Sequence, residues 1–255
     1  MTKIAAVILA AGQGTRMKSK LPKVLHKVAG RPLVQFPIDL AKRMGCARTV
    51  VVVGHGRELV EAELKRESAI AFAVQREQRG TGHAVMSALP QLRWHKGPVL
   101  ILSGDVPLLE RKSVARLAAA HKRSGGPLSL VTFCPADPHG YGRVVRQGKN
   151  VVEIREQKDC TAAQRAIEEV NAGIYLIDIA FLRRAVKRLT TANAQGEFYL
   201  TDLVQMAAQK SRVAAVVAPP QEVSGVNDRA DLAYIEEIIR QQTNMAWMRS
   251  GCLLY

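Results

Sequence analysis

Residues 4 to 23 constrain this chain more than any other stretch. Residues 4 to 11 form an unbroken apolar run, too short to cross a membrane and suited to a strand buried on both faces of a parallel sheet. The run breaks into Gly12-Gln13-Gly14-Thr15, followed by Arg16, Lys18, Lys20 and Lys23 with no acidic residue among them. A glycine loop after a buried strand lets backbone N–H groups approach a phosphate closely, because no Cβ stands in the way. The cations behind it suit a polyphosphate, so the stretch predicts a nucleotide site. Two common glycine loops do not match. The dinucleotide fingerprint needs a third glycine where Met17 stands, and the P-loop needs Gly-Lys-Ser/Thr where the chain reads Gly14-Thr15-Arg16.

Strand-like apolar runs then alternate with helix-like periodic segments, the pattern of a mostly parallel α/β sheet. Pro32 is placed to open a helix reaching about Met44, with Gly45 just past its end. Pro37 inside that helix predicts a kink. Strands are expected at 49–53, 70–74, 99–102 and 128–133, and helices up to about Lys65, at 84–89 and at 113–123. The run at 99–102 delivers Ser103-Gly104-Asp105 to a strand end, and ligands in open α/β sheets bind outside the carboxyl ends of strands. Asp105 therefore belongs on the same sheet edge as the Gly12 loop. From about Pro135 the chain becomes turn-rich. Antiparallel-looking pieces at 143–146 and 151–155 lead to a strand at 170–177 and helices near 180–189 and 199–209. A strand at 213–218 and a long helix from about Arg229 to Met248 follow.

The chain has 255 residues, enough for a substantial core, with 47% hydrophobic and 23% charged residues. No run approaches the roughly 18–20 apolar residues of a membrane span. The N-terminus enters strand sequence at once, leaving no room for a signal peptide. Cys46, Cys134, Cys160 and Cys252 are scattered without Cys-x-x-Cys spacing, and the six histidines form no ligand cluster. A cytoplasmic, reducing setting without structural zinc is expected. The net charge of +15 invites a nucleic-acid reading. Apart from the block at 16–31 and Arg183-Arg184 with Lys187-Arg188, however, the cations are dispersed. Five Phe and five Tyr make no aromatic-basic platform, so no nucleic-acid partner is expected.

The opening Leu9-Ala10-Ala11-Gly12-x-Gly14-Thr15-Arg16-Met17 with Leu21-Pro22-Lys23 is similar to the signature of the sugar-nucleotide pyrophosphorylase group of nucleotidyltransferases. Further along stand Gln75 with Gly80-Thr81-Gly82-His83, Gly104-Asp105-Val106-Pro107, Gly140-Tyr141-Gly142-Arg143 and Glu156-x-Lys158-Asp159. Glu169-Val170-Asn171-x-Gly173, Asn193-x-Gln195-Gly196-Glu197-x-Tyr199-x-Thr201-Asp202 and Gly225-Val226-Asn227 complete the set. In this order, from Ile4 to about Asp231, the chain resembles the uridylyltransferase half of the bacterial bifunctional N-acetylglucosamine-1-phosphate uridylyltransferases/glucosamine-1-phosphate acetyltransferases.

The resemblance implies a Rossmann-like nucleotidyltransferase fold, a mostly parallel mixed sheet flanked by helices, with a smaller sugar-binding lobe and a long C-terminal helix. The uridylyltransferase would span 1–229, with a nucleotide-binding core at about 1–134 and a sugar-binding lobe at about 135–229. Residues 230–255 would be a helix leading to a left-handed β-helix acetyltransferase domain that this chain lacks. The chain would be a piece of a longer, trimeric enzyme and itself a monomer or weak oligomer, with the junction near Tyr255.

The implied reaction joins UTP and N-acetylglucosamine-1-phosphate to give UDP-N-acetylglucosamine and pyrophosphate, for peptidoglycan and lipopolysaccharide precursors. An already anionic phosphate attacks in line, so positioning and charge neutralisation suffice. Arg16, Lys23 and Asp105 would be catalytic, with Mg²⁺ held by Asp105 and Asn227. Leu9, Ala10, Ala11, Gly12, Gly14, Lys23, Gln75, Gly80 and Thr81 would bind nucleotide. Ser103, Gly104, Gly142, Glu156, Asn171 and Asn227 would bind sugar. The related enzymes often carry an aromatic residue where this chain has Ser103, which puts contact by that side chain in question. His55, His83 and Tyr199 receive no chemical role. The alternatives are a related nucleotidyltransferase using another base or sugar phosphate and, from a different class, a non-catalytic basic binding protein.

Overall fold

The buried run at the N-terminus becomes β1 (Ala5–Ala10), and successive side chains enter cores on opposite faces. Ala5 and Val7 point one way, Ile8 and Ala10 the other. The computed structural model describes residues 3–67 and 69–253, so Tyr255 lies outside the described residues.

A two-residue hairpin, β2 (Lys27–Val28) and β3 (Arg31–Pro32), precedes α1 (Gln35–Arg43), β4 (Arg48–Val53), α2 (Arg57–Glu63) and β5 (Ile70–Val74). Then come α3 (Thr81–Ala88), β6 (Pro98–Ser103), α4 (Arg111–Ser124) and β7 (Leu128–Phe133). The hairpin β8 (Arg143–Gln147) and β9 (Asn150–Arg155), the short α5 (Ala162–Arg165), β10 (Val170–Asp178) and α6 (Ile179–Ala185) follow. The chain continues through α7 (Asp202–Ala208), β11 (Ala214–Val217), α8 (Pro220–Val223) and α9 (Arg229–Arg249).

The main sheet runs β11-β7-β10-β6-β1-β4-β5, with the β8–β9 hairpin paired to β10. β1 is parallel to both β4 and β6, in register Ile8↔Val51 and Ile8↔Leu102. Only β10 and the hairpin break the parallel order: β10 runs antiparallel to β6, β7 and β8. Val50, Val52, Val99 and Ile101 join Ala5 and Val7 under α3, α6 and α7. Val51, Val53, Leu100 and Leu102 join Ile8 and Ala10 under α1, α2 and α4. This is a Rossmann-like, mostly parallel mixed sheet covered by helices on both faces, ending in one long helix.

Three expectations shift. Pro32 lies in β3, and α1 begins at Gln35. Pro37 is thus the third helical residue, in the first turn, where N–H groups have no intrahelical acceptor; its missing donor costs no helix bond there and no kink is required. The third helix starts at Thr81 rather than Ala84.

A third, smaller core clamps the start of α9 to the segment after β1. Met17, Val28, Leu33, Val226 and Ile235 are buried together, with Leu232 and Ile239 packed against them. From Arg240 onward α9 is exposed on all sides. We therefore expect Ile235→Ala to cost about 2–5 kcal/mol in urea denaturation. Trp247→Ala, on the exposed half, should stay within about 0.5 kcal/mol.

Candidate active site

Parallel strands end on one edge, and three of these ends build the site. After β1 the chain makes the Gly12–Gly14 loop and a single tight turn at Thr15–Met17. Gly14 has φ +62°, and a Cβ there would stand 2.5 Å from the Lys23 Cβ, so both conformation and space demand glycine. Met17 is buried while Arg16 beside it is exposed, which leaves the guanidinium projecting from an anchored turn. β6 ends in Ser103-Gly104-Asp105, and Gly104 N–H donates to the Leu9 carbonyl at 2.9 Å, fastening this end to β1. β5 is followed by Gln75, which leads into the 76–80 loop before α3.

A cleft of about 330 Å³ opens between these ends. Of the expected nucleotide ligands, Leu9, Ala10, Ala11, Gly12, Lys23, Gln75, Gly80 and Thr81 line it, joined by Ser103 and Asp105. Gln75 is almost fully buried and donates its Nε2 to the Gly80 carbonyl at 3.1 Å, which fixes its Oε1 as the remaining acceptor. Gly80 has φ +98°, and a Cβ there would come within 2.7 Å of the Phe198 carbonyl.

Two cation–oxygen pairs stand here: one, Lys23 with Asp105, lines the cleft, whereas the other, Arg16 with Asn227, lies outside its lining, as do Gly14 and Gly104. Lys23 Nζ forms an ion pair with Asp105 Oδ2, both side chains mostly shielded. Arg16 Nη2 donates to Asn227 Oδ1 at 3.0 Å. The strand end and the Gly225–Asn227 loop are tied together, since Val226 N–H donates to the Asp105 carbonyl at 2.9 Å. Thus Arg16, Lys23, Asp105 and Asn227, far apart in sequence, form one chain of contacts.

Gly142, Glu156 and Asn171 gather separately and do not line the cleft. A Cβ on Gly142 would stand 3.5 Å from Glu156 Oε2, and Asn171 N–H donates to the Gly142 carbonyl at 2.9 Å. Glu156 Oε1 accepts from Thr201 Oγ1 at 3.0 Å, leaving Oε2 beside the glycine. Both ends of the Asn171 amide are occupied, Nδ2 by the Tyr175 hydroxyl (2.6 Å) and Oδ1 by Gly173 N–H (3.0 Å). Ser103 joins the two groups: a Cβ on Gly173 would lie 3.5 Å from its Oγ.

Sequence reasoning missed Gln78 and Glu197, which also line the cleft. Gln78 Nε2 donates to the Ala11 carbonyl at 2.6 Å, pinning the glycine loop, and Glu197 packs against Gly80. The amide within Gln75–Thr81 was a usable signal for Gln78. Glu197 stands in the Asn193–Asp202 motif, which was a usable signal, but it received no role there.

Burial pushes the Glu156 carboxyl above its ordinary range, opposed by the Thr201 hydrogen bond and reinforced by Asp159, Asp202 and Glu197. A carboxyl raised on folding makes the protein lose stability as pH climbs from the unfolded value through the folded one. Glu156→Gln, which keeps an acceptor for Thr201, should therefore raise the melting temperature at pH 7.5. The gain should vanish as pH falls toward 4, as thermal unfolding at the two pH values would record.

Residues 6–169 match the family model of the MobA-like NTP transferase domain. The chain is 52% identical over 254 residues to the bifunctional protein GlmU of Anaeromyxobacter sp. (strain Fw109-5), covering 98% of this chain and 52% of that protein. It is 47% identical to the bifunctional protein GlmU of Trichlorobacter lovleyi, with 98% and 55% covered. The chain spans about half the length of the curated relatives it matches. Among solved structures, a Bacillus anthracis protein described as a glucose-1-phosphate thymidylyltransferase, in complex with a sucrose, superposes with TM-score 0.75 at 18% identity, over 93% of this chain and 95% of that one. A UDP-glucose pyrophosphorylase complexed with UDP-glucose gives TM-score 0.75 at 16% identity, over 95% of this chain and 100% of that one. At such identities the two structures speak for the fold alone, and it is the family match over residues 6–169 that places this chain in the MobA-like NTP transferase family.

Proposed function

We propose that this chain transfers a uridylyl group from UTP to N-acetylglucosamine-1-phosphate, releasing pyrophosphate and forming UDP-N-acetylglucosamine. The observation that carries the reading is the convergence of Arg16 and Lys23 on Asp105 and Asn227 at a cleft lined by the glycine loop and Gln75. The ordered motifs quoted from Leu9 to Asn227 select the uridylyl and N-acetylglucosamine specificities, in line with the half-identical bifunctional relatives.

The chemistry asks little covalent work of the protein. A phosphate oxygen of the sugar phosphate, already anionic at neutral pH, forms the new bond to the α-phosphorus. The bond from that phosphorus to the bridging oxygen breaks, and its electron pair leaves with pyrophosphate. No proton has to move, so the residues act by position and charge. Amides of the Gly12–Gly14 loop, the Arg16 guanidinium and the Lys23 ammonium neutralise the triphosphate. Gln75 Oε1 accepts from the imide N–H of uracil, and the backbone at Gly80 and Thr81 frames the base. A glycine at 142 puts no side chain between Ile154 and Glu156, and Glu156 Oε2 accepts from a sugar hydroxyl, while the internally bonded Asn171 shapes the neighbouring backbone.

A divalent ion fits this donor set. Asp105 offers a carboxylate and Asn227 an amide oxygen, and each already accepts from a cationic side chain, so the position stabilises positive charge. Two protein oxygens suit Mg²⁺, which takes its other ligands from water and phosphate; among the described residues no group of three or more His, Cys, Asp or Glu forms a closed cage. Bound there, the ion supplies charge neutralisation to the phosphoryl oxygens. The active unit works on soluble substrates, and among the described residues no helix is long and apolar enough to cross a membrane. We place it in the cytoplasm of a bacterium. The acetyl transfer and trimeric assembly that the resemblance implies for a bifunctional enzyme we assign to the half of the relatives' length that this chain does not span.

Pyrophosphate release tests the reading. Turnover is expected with UTP and N-acetylglucosamine-1-phosphate, and not with GTP, dTTP or glucose-1-phosphate at comparable rates. Asp105→Ala should lower kcat by about 100-fold or more. Efficient turnover of another pair would move the specificity, and none from a folded protein would favour a basic binding protein.

A further inference from the structure

We infer that Arg229 is a positioning residue for nucleotidyl transfer, acting through Arg16, and that the first turns of α9 are part of the reaction site. The inference rests on the role proposed above for Arg16 and extends it to a side chain of α9.

Among the described residues two non-glycine residues have positive φ, Lys18 at 48° and Ala29 at 49°. A side chain with a Cβ is crowded in this left-handed region, so such a backbone persists only where its surroundings hold it. Both residues fall between β1 and α1, in the segment that carries Arg16 and Lys23. Both are held by α9. Arg229 donates its Nε to the Met17 carbonyl at 3.1 Å and its Nη2 to the Lys18 carbonyl at 3.3 Å. Glu236, two turns further on, accepts from Ala29 N–H at 2.7 Å.

The same helix start fixes the partner of Arg16. Asp228 caps α9 by accepting from Ala230 and Asp231 N–H, and Asp231 Oδ2 accepts from Asn227 N–H at 2.8 Å. Asn227 in turn accepts from the Arg16 guanidinium. The Arg16 turn is therefore gripped at its backbone by Arg229, while the Arg16 side chain is gripped by the residue two places before Arg229. Buried Met17, against Ile235 and Val226, adds an apolar anchor. Arg16 itself is exposed, so nothing in a packed core orients it; its placement depends on this turn. A forked guanidinium can bridge two successive carbonyls from one side chain, which a lysine ammonium on its flexible stem does less well.

The test is a double-mutant cycle with Arg16→Ala, Arg229→Ala and the pair, measuring kcat and KM for both substrates beside thermal unfolding. Arg229→Ala should lower kcat about 10-fold and Arg16→Ala about 100-fold, and the double variant should be no slower than Arg16→Ala, because effects exerted through one group do not multiply. KM values in Arg229→Ala should stay within about twofold, since loss of an interaction made only in the transition state falls on kcat. Losses that multiply, or an unchanged kcat in folded Arg229→Ala while Arg16→Ala is impaired, would overturn the inference and leave the proposed function standing. A wild-type rate in Arg16→Ala would instead bring down the role given to Arg16. If Arg229→Ala does not fold, Arg229→Lys enters the same cycle with the same criterion.

Discussion

Everything at the site depends on β1 lying parallel between β4 and β6. The registers Ile8↔Val51 and Ile8↔Leu102 bring the three strand ends to one edge, with Gly54 packed against Ala11 on one side of β1 and Gly104 against Leu9 and Ala10 on the other. A Cβ on Gly54 would press within 2.9 Å of Ala11, and one on Gly104 within 2.9 Å of the Leu9 carbonyl. The apolar runs that build this sheet therefore do more than supply a core. Their common direction brings the segments that follow β1, β5 and β6 to one cleft.

Onto that edge the chain brings charge in matched pairs. Lys23 with Asp105 and Arg16 with Asn227 place two cations against two oxygen acceptors, each pair drawing on distant parts of the sequence. Such partly shielded pairs add little to stability by themselves. In the proposed reaction their value lies in preorganisation, because charges already fixed need not reorganise when charge shifts in the transition state. The strained turn at Lys18 and the grip of α9 belong to the same logic: a loop too irregular to hold itself is held by the helix beside it.

Much of the sheet was legible because its signal is local. Valines at 50–53 and the run at 99–102 admit few readings other than buried strands, and Gly12, Gly14 and Asp105 mark where those strands end. Helix starts were less legible. Pro32 and Pro37 both suit a first turn, and only the hairpin pairing of Lys27 with Pro32 settles which one occupies it. The direction of β10 was hidden as well, because an apolar strand reads the same whichever way it runs; the reversal appears only in its pairing with β6 and β7. The motif residues were recognisable, yet the contacts that orient them were not. Gln78 reaches Ala11 and Arg229 reaches Met17 across sequence gaps that carry no periodicity or spacing. Glu156 could be named from its motif, whereas its burial beside Thr201 and three other acids is a product of packing.

At the centre of this account is a single displacement, with the protein positioning charge and forming no covalent bond to the nucleotide. The stereochemical course of the reaction tests that most directly. UTP carrying sulfur in place of one α-phosphate oxygen, in one configuration, would be turned over with N-acetylglucosamine-1-phosphate and the configuration of the product determined. One in-line attack predicts inversion at the α-phosphorus. Retention would mean two displacements through a uridylyl-enzyme intermediate, and would contradict it.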